Sequence, residues 1–200
     1  MLKSIISFAR VRAGSALLFG ALFAPAGMSM AADAVREYVD ETSAISVTIT
    51  SSALIFARER SDLAANARDY ITLAPLETNR TGERSYFWMG YIWSTIDRRK
   101  GEPMIADGDE LVLLADGRPI RLVALDTPLS DRGVVQPPLP APKRNAIPVL
   151  FAVNPESIAY AAHATDLHIE LLRAGTSETF VLWKDARAAV RAFAERVGAD

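Results

Sequence analysis

The residues best able to do chemistry fall in three places, and the first holds the chain's two histidines. His163, Asp166, His168 and Glu170 lie within eight positions of one another. On an extended chain Asp166, His168 and Glu170 point one way, while Leu167, Ile169 and Leu171 point the other. Imidazole nitrogens and carboxylate oxygens are ligands for Zn²⁺ and similar ions. Alternate residues on one strand face, however, stand about 6–7 Å apart. A single ion would then need ligands from elsewhere in the chain, since closed sites take three or four converging groups. The spacing favours a polar, water-facing strand over a metal centre, and no cofactor is expected.

The second place is the aromatic run Ser85-Tyr86-Phe87-Trp88-Met89-Gly90-Tyr91-Ile92-Trp93. Tyr86 and Trp88 share one strand face; Phe87, Tyr91 and Trp93 share the other. Exposed aromatics can stack on sugar rings or peptides, and Tyr and Trp often anchor interfaces. Tyr86, Trp88 and Trp93 are therefore the candidate partner-binding residues. The competing reading, a strand buried on both faces, is preferred because large exposed apolar patches are unusual on monomers.

The third is Ser94-Thr95-Ile96-Asp97-Arg98, with hydroxyls beside a carboxylate. Nucleophilic catalysis needs a base in hydrogen-bond reach and a third group to orient it, and the local sequence supplies neither. The G-x-S-x-G, glycine-rich phosphate-loop, H-E-x-x-H and calcium-loop patterns are absent. Asn79-Arg80-Thr81 matches the short glycosylation triplet but reads as a turn. No residue can be nominated as catalytic.

The elements that must position these groups begin after an export tag. Lys3, Arg10 and Arg12 precede an apolar run from Ala13 to Ala26; Pro25 and Gly27 break it, and Ser29-Met30-Ala31 offers small residues to a signal peptidase. Residues 1–31 thus read as a bacterial-type signal peptide, cleaved after Ala31 or one residue later. The run is shorter than the ~20 residues a bilayer-spanning helix needs, so no membrane span is expected after processing. The chain has no cysteine, which excludes a disulfide framework and lipid attachment at the cleavage site. The remaining residues, 32–200, are expected to form one strand-rich domain stabilised by its core alone. Removing three of 22 basic residues and none of 24 acidic ones leaves a net charge of −5. That balance argues against nucleic acid as a partner. Arg98-Arg99-Lys100 reads as a solvated loop.

Residues 32–42 show no clear period and read as a loose arm. Ser43 to Thr50 alternates with the period of a half-buried strand. Ala53 to Ala57 reads as a second strand, and Ser61 to Ala67 as a short helical turn. Asp69 to Thr95 reads as a long hairpin, its first arm at a sheet edge or bulged because Pro75 cannot donate a ladder hydrogen bond. Leu111 to Leu125 is a hairpin about Asp116-Gly117. The prolines at 128, 137, 138, 140, 142 and 148 make residues 126–148 an extended surface crossover. Strands follow at Val149 to Val153, Asp166 to Leu172 and Thr179 to Trp183. A helix starts at Asn154-Pro155-Glu156, and a last helix spans about Ala186 to Val197.

These elements predict a mainly β, α+β architecture: an antiparallel β-sandwich or bent sheet with the C-terminal helix on one face. The function expected is that of an exported periplasmic or secreted protein, a non-catalytic binding module engaging an envelope protein or surface component. The alternatives are a periplasmic enzyme with dispersed catalytic residues, metal-dependent at the histidine strand, and a binder of small apolar ligands.

Overall fold

The computed structural model describes residues 34–96, 104–106, 108–173 and 175–198. Residues 1–31, expected to be an export signal, and Asp97 with the Arg98-Arg99-Lys100 triplet lie outside the described residues. Among the described residues, ten strands and two α-helices make up the fold, and every strand pairing is antiparallel.

The strands are β1 Val35–Asp40, β2 Ile45–Thr50, β3 Leu54–Glu59, β4 Arg68–Arg80, β5 Glu83–Ser94, β6 Glu110–Ala115, β7 Arg118–Leu122, β8 Ile147–Ala152, β9 Leu167–Arg173 and β10 Thr176–Lys184. The helices are α1 Pro155–His163 and α2 Arg187–Gly198. β4 is the hub. Along one edge it pairs with β5 from Asp69↔Ser94 to Arg80↔Glu83. Along the other it pairs first with β3, from Arg68 to Leu73, and then with β2, from Leu76 to Asn79. Pro75 falls in the gap between those two ladders, where a missing N–H costs least. The proline-bearing arm, expected at an edge or bulged, is therefore at the centre of the sheet, with its second ladder interrupted at Pro75.

From β3 the sheet continues through β10, β9 and β6 to β7, while β8 joins the far side of β5. It bends until the chain just after β7 approaches β8. There a single bridge, Ala124↔Phe151, and one hydrogen bond, Leu125 N–H to Leu150 O at 2.8 Å, join the two ends. The result is a strongly bent, unclosed antiparallel sheet, the second of the two forms, sandwich or bent sheet, that the sequence led us to expect.

Two cores lie on opposite faces of β4 and β5. The larger gathers Phe56, Ile71, Trp88, Phe151 and Phe180 with Ile158 of α1 and Val190 and Phe193 of α2. The smaller gathers Ile45, Val47, Ile49, Phe87 and Tyr91 with Val134 and Leu139 of the crossover. Cover on both faces explains the near-continuous apolar runs of β4 and β5. α2 packs on α1 and against β1, β2 and β4.

The local signals that worked did so through hydrogen-bonding chemistry. Asp116 and Gly117 take φ of 47° and 78°, the left-handed pair that a two-residue hairpin turn requires. Asn154 Oδ1 accepts the Ser157 N–H at 2.8 Å, capping α1 with Pro155 in its first turn. Three expectations need correction. The loose arm is β1, an edge strand paired along its whole length with β2. Ser61 to Ala67 forms turns without a helix. β2 is buried on both faces, Thr48 and Thr50 included, because β2 meets α2 as well as the crossover core.

The proline-rich crossover is strapped to the sheet. Tyr91 Oη donates to Leu139 O at 2.7 Å, the Arg36 guanidinium to Pro138 O at 2.6 Å, and Val135 N–H to Asp40 Oδ2 at 2.9 Å. That last bond, with further backbone N–H groups and against the cost of burial, holds the Asp40 carboxyl below the usual carboxylate range. The segment includes one 3₁₀ turn, Leu129–Arg132, and no strand before Ile147.

Candidate functional site

The aromatic run divides between the two cores as its alternation predicts. Trp88 is fully buried, 0% exposed, and its indole N–H finds no hydrogen-bond partner among the described residues. Tyr86 is half-buried against the larger core. Trp93, on the opposite face, is half-buried and stacks on Tyr70, with ring centroids 4.1 Å apart and planes 10° from parallel. The Lys143 ammonium lies 5.6 Å from the Trp93 ring centroid and donates to Ser94 O at 3.2 Å. Of the three aromatics, Trp93 is the one joined to a surface cation.

The histidine strand shows a looser grouping. His168 Nδ1 is 3.2 Å from Asp166 Oδ2, and His163 is exposed at the end of α1. Glu170 is half-buried on the same strand as His168. Among the described residues no group of three or more His, Asp or Glu side chains is placed to hold a metal ion. The strand geometry accounts for this, since successive same-face residues diverge.

The outer face of the sheet carries a feature that sequence reasoning passed over. Register aligns Leu114, His168, Val181, Ala57, Tyr70 and Trp93 in one row across six strands, β6, β9, β10, β3, β4 and β5. Residues directly opposite one another across a ladder share a face and touch. Val181 and, two residues on, Trp183 are each 56% exposed. The Arg68 guanidinium lies 4.5 Å from the Trp183 ring centroid, close enough for a cation–π contact. The row is buried at its middle, where Ala57 is 3% and Tyr70 8% exposed. Its exposed apolar part is Val181, with Trp183 further along β10, and Arg68 and Lys143 lie beside the aromatic rings. The signal of that exposed part was Phe180-Val181-Leu182-Trp183, apolar on both faces of a strand with only one face owed to the core.

A concave feature lies at the open seam. A cavity of about 450 Å³ is walled by Ile92, Met104, Leu111, Leu122, Val149 and Phe151. Five of these, all but Val149, are buried members of the larger core. The charged groups at its rim pair with each other. Arg121 meets Glu110 at 2.7 Å. Arg173 grips Asp109 through Nε and Nη2, the shorter contact 2.5 Å, and also donates to Met104 O at 2.9 Å. The Arg173 guanidinium, opposed by burial and helped by the Ala106 N–H, holds the Asp109 carboxyl below its ordinary range. At the Asp69 end of β4, Arg58 and Arg60 converge on that carboxylate, and Arg58 also meets Glu178.

Chemically, the exposed part of β10 and the cavity are suited to holding apolar and aromatic groups, and the carboxylates beside them are engaged by arginines. Comparison with known protein families, with curated proteins and with solved structures found no match.

Proposed function

We propose that this protein is an exported, non-catalytic binding module of the cell envelope, periplasmic or secreted. It engages an envelope protein or surface component through the exposed Val181 and Trp183 of β10, with the half-buried Trp93 at the far end of the same sheet face. The observation that supports the reading is the exposure of both Val181 and Trp183, each 56%, at a bulge in β10, where Val181 lies in the register row that leads to the stacked Tyr70–Trp93 pair. Solvent contact for a valine and a tryptophan two residues apart on one strand is unfavourable relative to cover by a partner. Tryptophan and arginine are also the residues that most often anchor interfaces, and Arg68 already lies over Trp183. The mature chain's acidic balance supports a partner other than nucleic acid. Among the described residues no helix is long and apolar enough to cross a membrane.

The test is retention of envelope material by immobilised protein, comparing the wild type with Val181→Ser/Trp183→Ser. The expected result is one component retained above controls and lowered about tenfold or more by the double substitution. Equal retention by both proteins, or none by either, refutes the reading. Export is tested separately by the N-terminus of the protein recovered outside the cytoplasm, expected at Ala32 or Asp33. Recovery of chains that still begin at Met1 overturns it.

A further inference from the structure

We infer that the cavity at the open seam of the sheet is a binding site for an uncharged, apolar small molecule of two or three rings or equivalent bulk. The site is separate from the exposed part of β10: its walls belong to the inner surface of the bent sheet, whereas Val181 and Trp183 face outward.

Size comes first. A cavity of about 150 Å³ lined by Leu, Ile and Phe takes one benzene. About 450 Å³ of similar lining therefore holds on the order of 15–20 non-hydrogen atoms. Volumes in this range and predominantly apolar walls are the usual attributes of small-molecule pockets. The floor is part of the main core, with Phe151 1% and Leu111 3% exposed. The mouth is marked by two large side chains left in water, Val123 at 67% and Ile147 at 55%. Both line the same cavity. A buried apolar floor rising to exposed apolar lips is a surface that gains by being covered.

Charge decides the ligand's class. Among the described residues, the ionisable side chains that line the cavity are Asp109, Glu110 and Arg121. Glu110 and Arg121 pair with one another, and Asp109 is taken by Arg173. An anionic ligand would have to compete with Glu110 for Arg121, and a cationic one with Arg173 for Asp109. A neutral ligand disturbs neither pair. Access follows from the topology, because one bridge and one hydrogen bond tie the chain after β7 to β8. So short a junction can part without breaking a strand ladder.

The experiment uses two fluorescent probes with the same ring skeleton, neutral phenylnaphthylamine and its anionic counterpart anilinonaphthalenesulfonate, titrated into the purified protein. The expected result is saturable binding of the neutral probe at one equivalent per chain, with the sulfonate weaker by about tenfold or more. Val149→Trp, which fills the cavity from a half-buried wall position, should weaken the neutral probe about tenfold or more. Val123→Asp changes only an exposed lip, so it spares the fold; it places an unpaired carboxylate at the mouth and should weaken that probe too. Trp183→Ser should leave the affinity unchanged. Failure of the neutral probe to saturate, equal binding of the sulfonate, or insensitivity to both cavity substitutions overturns the inference. Loss of binding in Trp183→Ser also overturns it, by assigning the probe to the exposed part of β10.

Discussion

Asp69→Ala is the perturbation whose size can be worked most directly from the structure. The carboxylate has no exposed surface, and its Oδ2 lies 2.7 Å from Arg58 Nη2 and 3.0 Å from Arg60 Nη1. Asp69 and Arg58 are also register partners across β3 and β4, so backbone pairing holds the two charges together. Arg58 is itself only 11% exposed. Removing one member of a buried pair costs about 3–5 kcal/mol, because the other charge stays desolvated without it. Two contacts moderate the loss here: Arg58 retains Glu178, and Arg60 retains Asp62 at 2.9 Å. The expected destabilisation therefore lies near the lower bound, about 3 kcal/mol. For a chain of this size that lowers Tm by about 6–12 °C. Urea unfolding followed by near-ultraviolet circular dichroism is the assay, with the midpoint falling and the slope unchanged. Arg58→Met/Asp69→Leu, which removes both charges, should recover most of the loss. A cost below about 1 kcal/mol for Asp69→Ala, the worth of an exposed pair, would refute the reasoning and make this end of the sheet a solvated surface.

Three further outcomes are expected. A Cβ added at Gly90 would stand 1.6 Å from the Thr72 carbonyl oxygen, on a strand ladders hold on both sides. Gly90→Ala should accordingly cost about 3 kcal/mol or more, or prevent folding; a wild-type urea midpoint would contradict this. Asn154→Ala should cost about 1 kcal/mol through loss of the α1 cap, and Asn154→Asp should restore most of it; equal urea midpoints for wild type and Asn154→Ala would contradict the cap. Acid should destabilise the fold through Asp40, Asp109 and Asp116. Their carboxyls are held below the ordinary value of 3.8 chiefly by the Val135 N–H, the Arg173 guanidinium and the Asp166 N–H, respectively. A depressed folded pKa contributes stability above the unfolded value and loses it as pH falls toward the folded one. Urea midpoints measured downward from neutrality should be flat above about pH 5 and fall below about pH 4. A midpoint unchanged through that window would exclude these contacts as the cause.

Legibility followed the range of the forces. The Asp116-Gly117 hairpin and the Asn154-Pro155 helix start are written in adjacent residues, because turn and cap chemistry act over a few positions. β1 was not legible: its burial alternates poorly, and what makes it a strand is β2 beside it. Pro75 misled because its rule concerns a missing donor. The fold meets that rule by splitting the ladder between β3 and β2 and keeping β4 central. For the candidate site, alternation alone assigned the aromatic run to two faces, but it could not say which face would be covered. Trp88 and Trp93 are equally apolar in the sequence; one lies at 0% exposure and the other against a surface lysine. Trp183 was not legible as a surface residue, since a strand's outer face is defined only when the sheet is assembled.

By itself the amino-acid sequence determined the turn and cap signals, the absence of disulfides, the acidic balance and the mainly β class. Each of these depends on composition or on neighbours a few residues apart. Tertiary structure alone decided that β4 would be the hub and that the sheet would bend to an open seam. It also decided that an apolar cavity would form there and that Val181 and Trp183 would face outward. Those outcomes rest on contacts such as Ala124 with Phe151 and Val181 with Ala57, between residues far apart in the chain. Many strand pairings satisfy the same alternation, and only the summed burial of the whole core selects one of them.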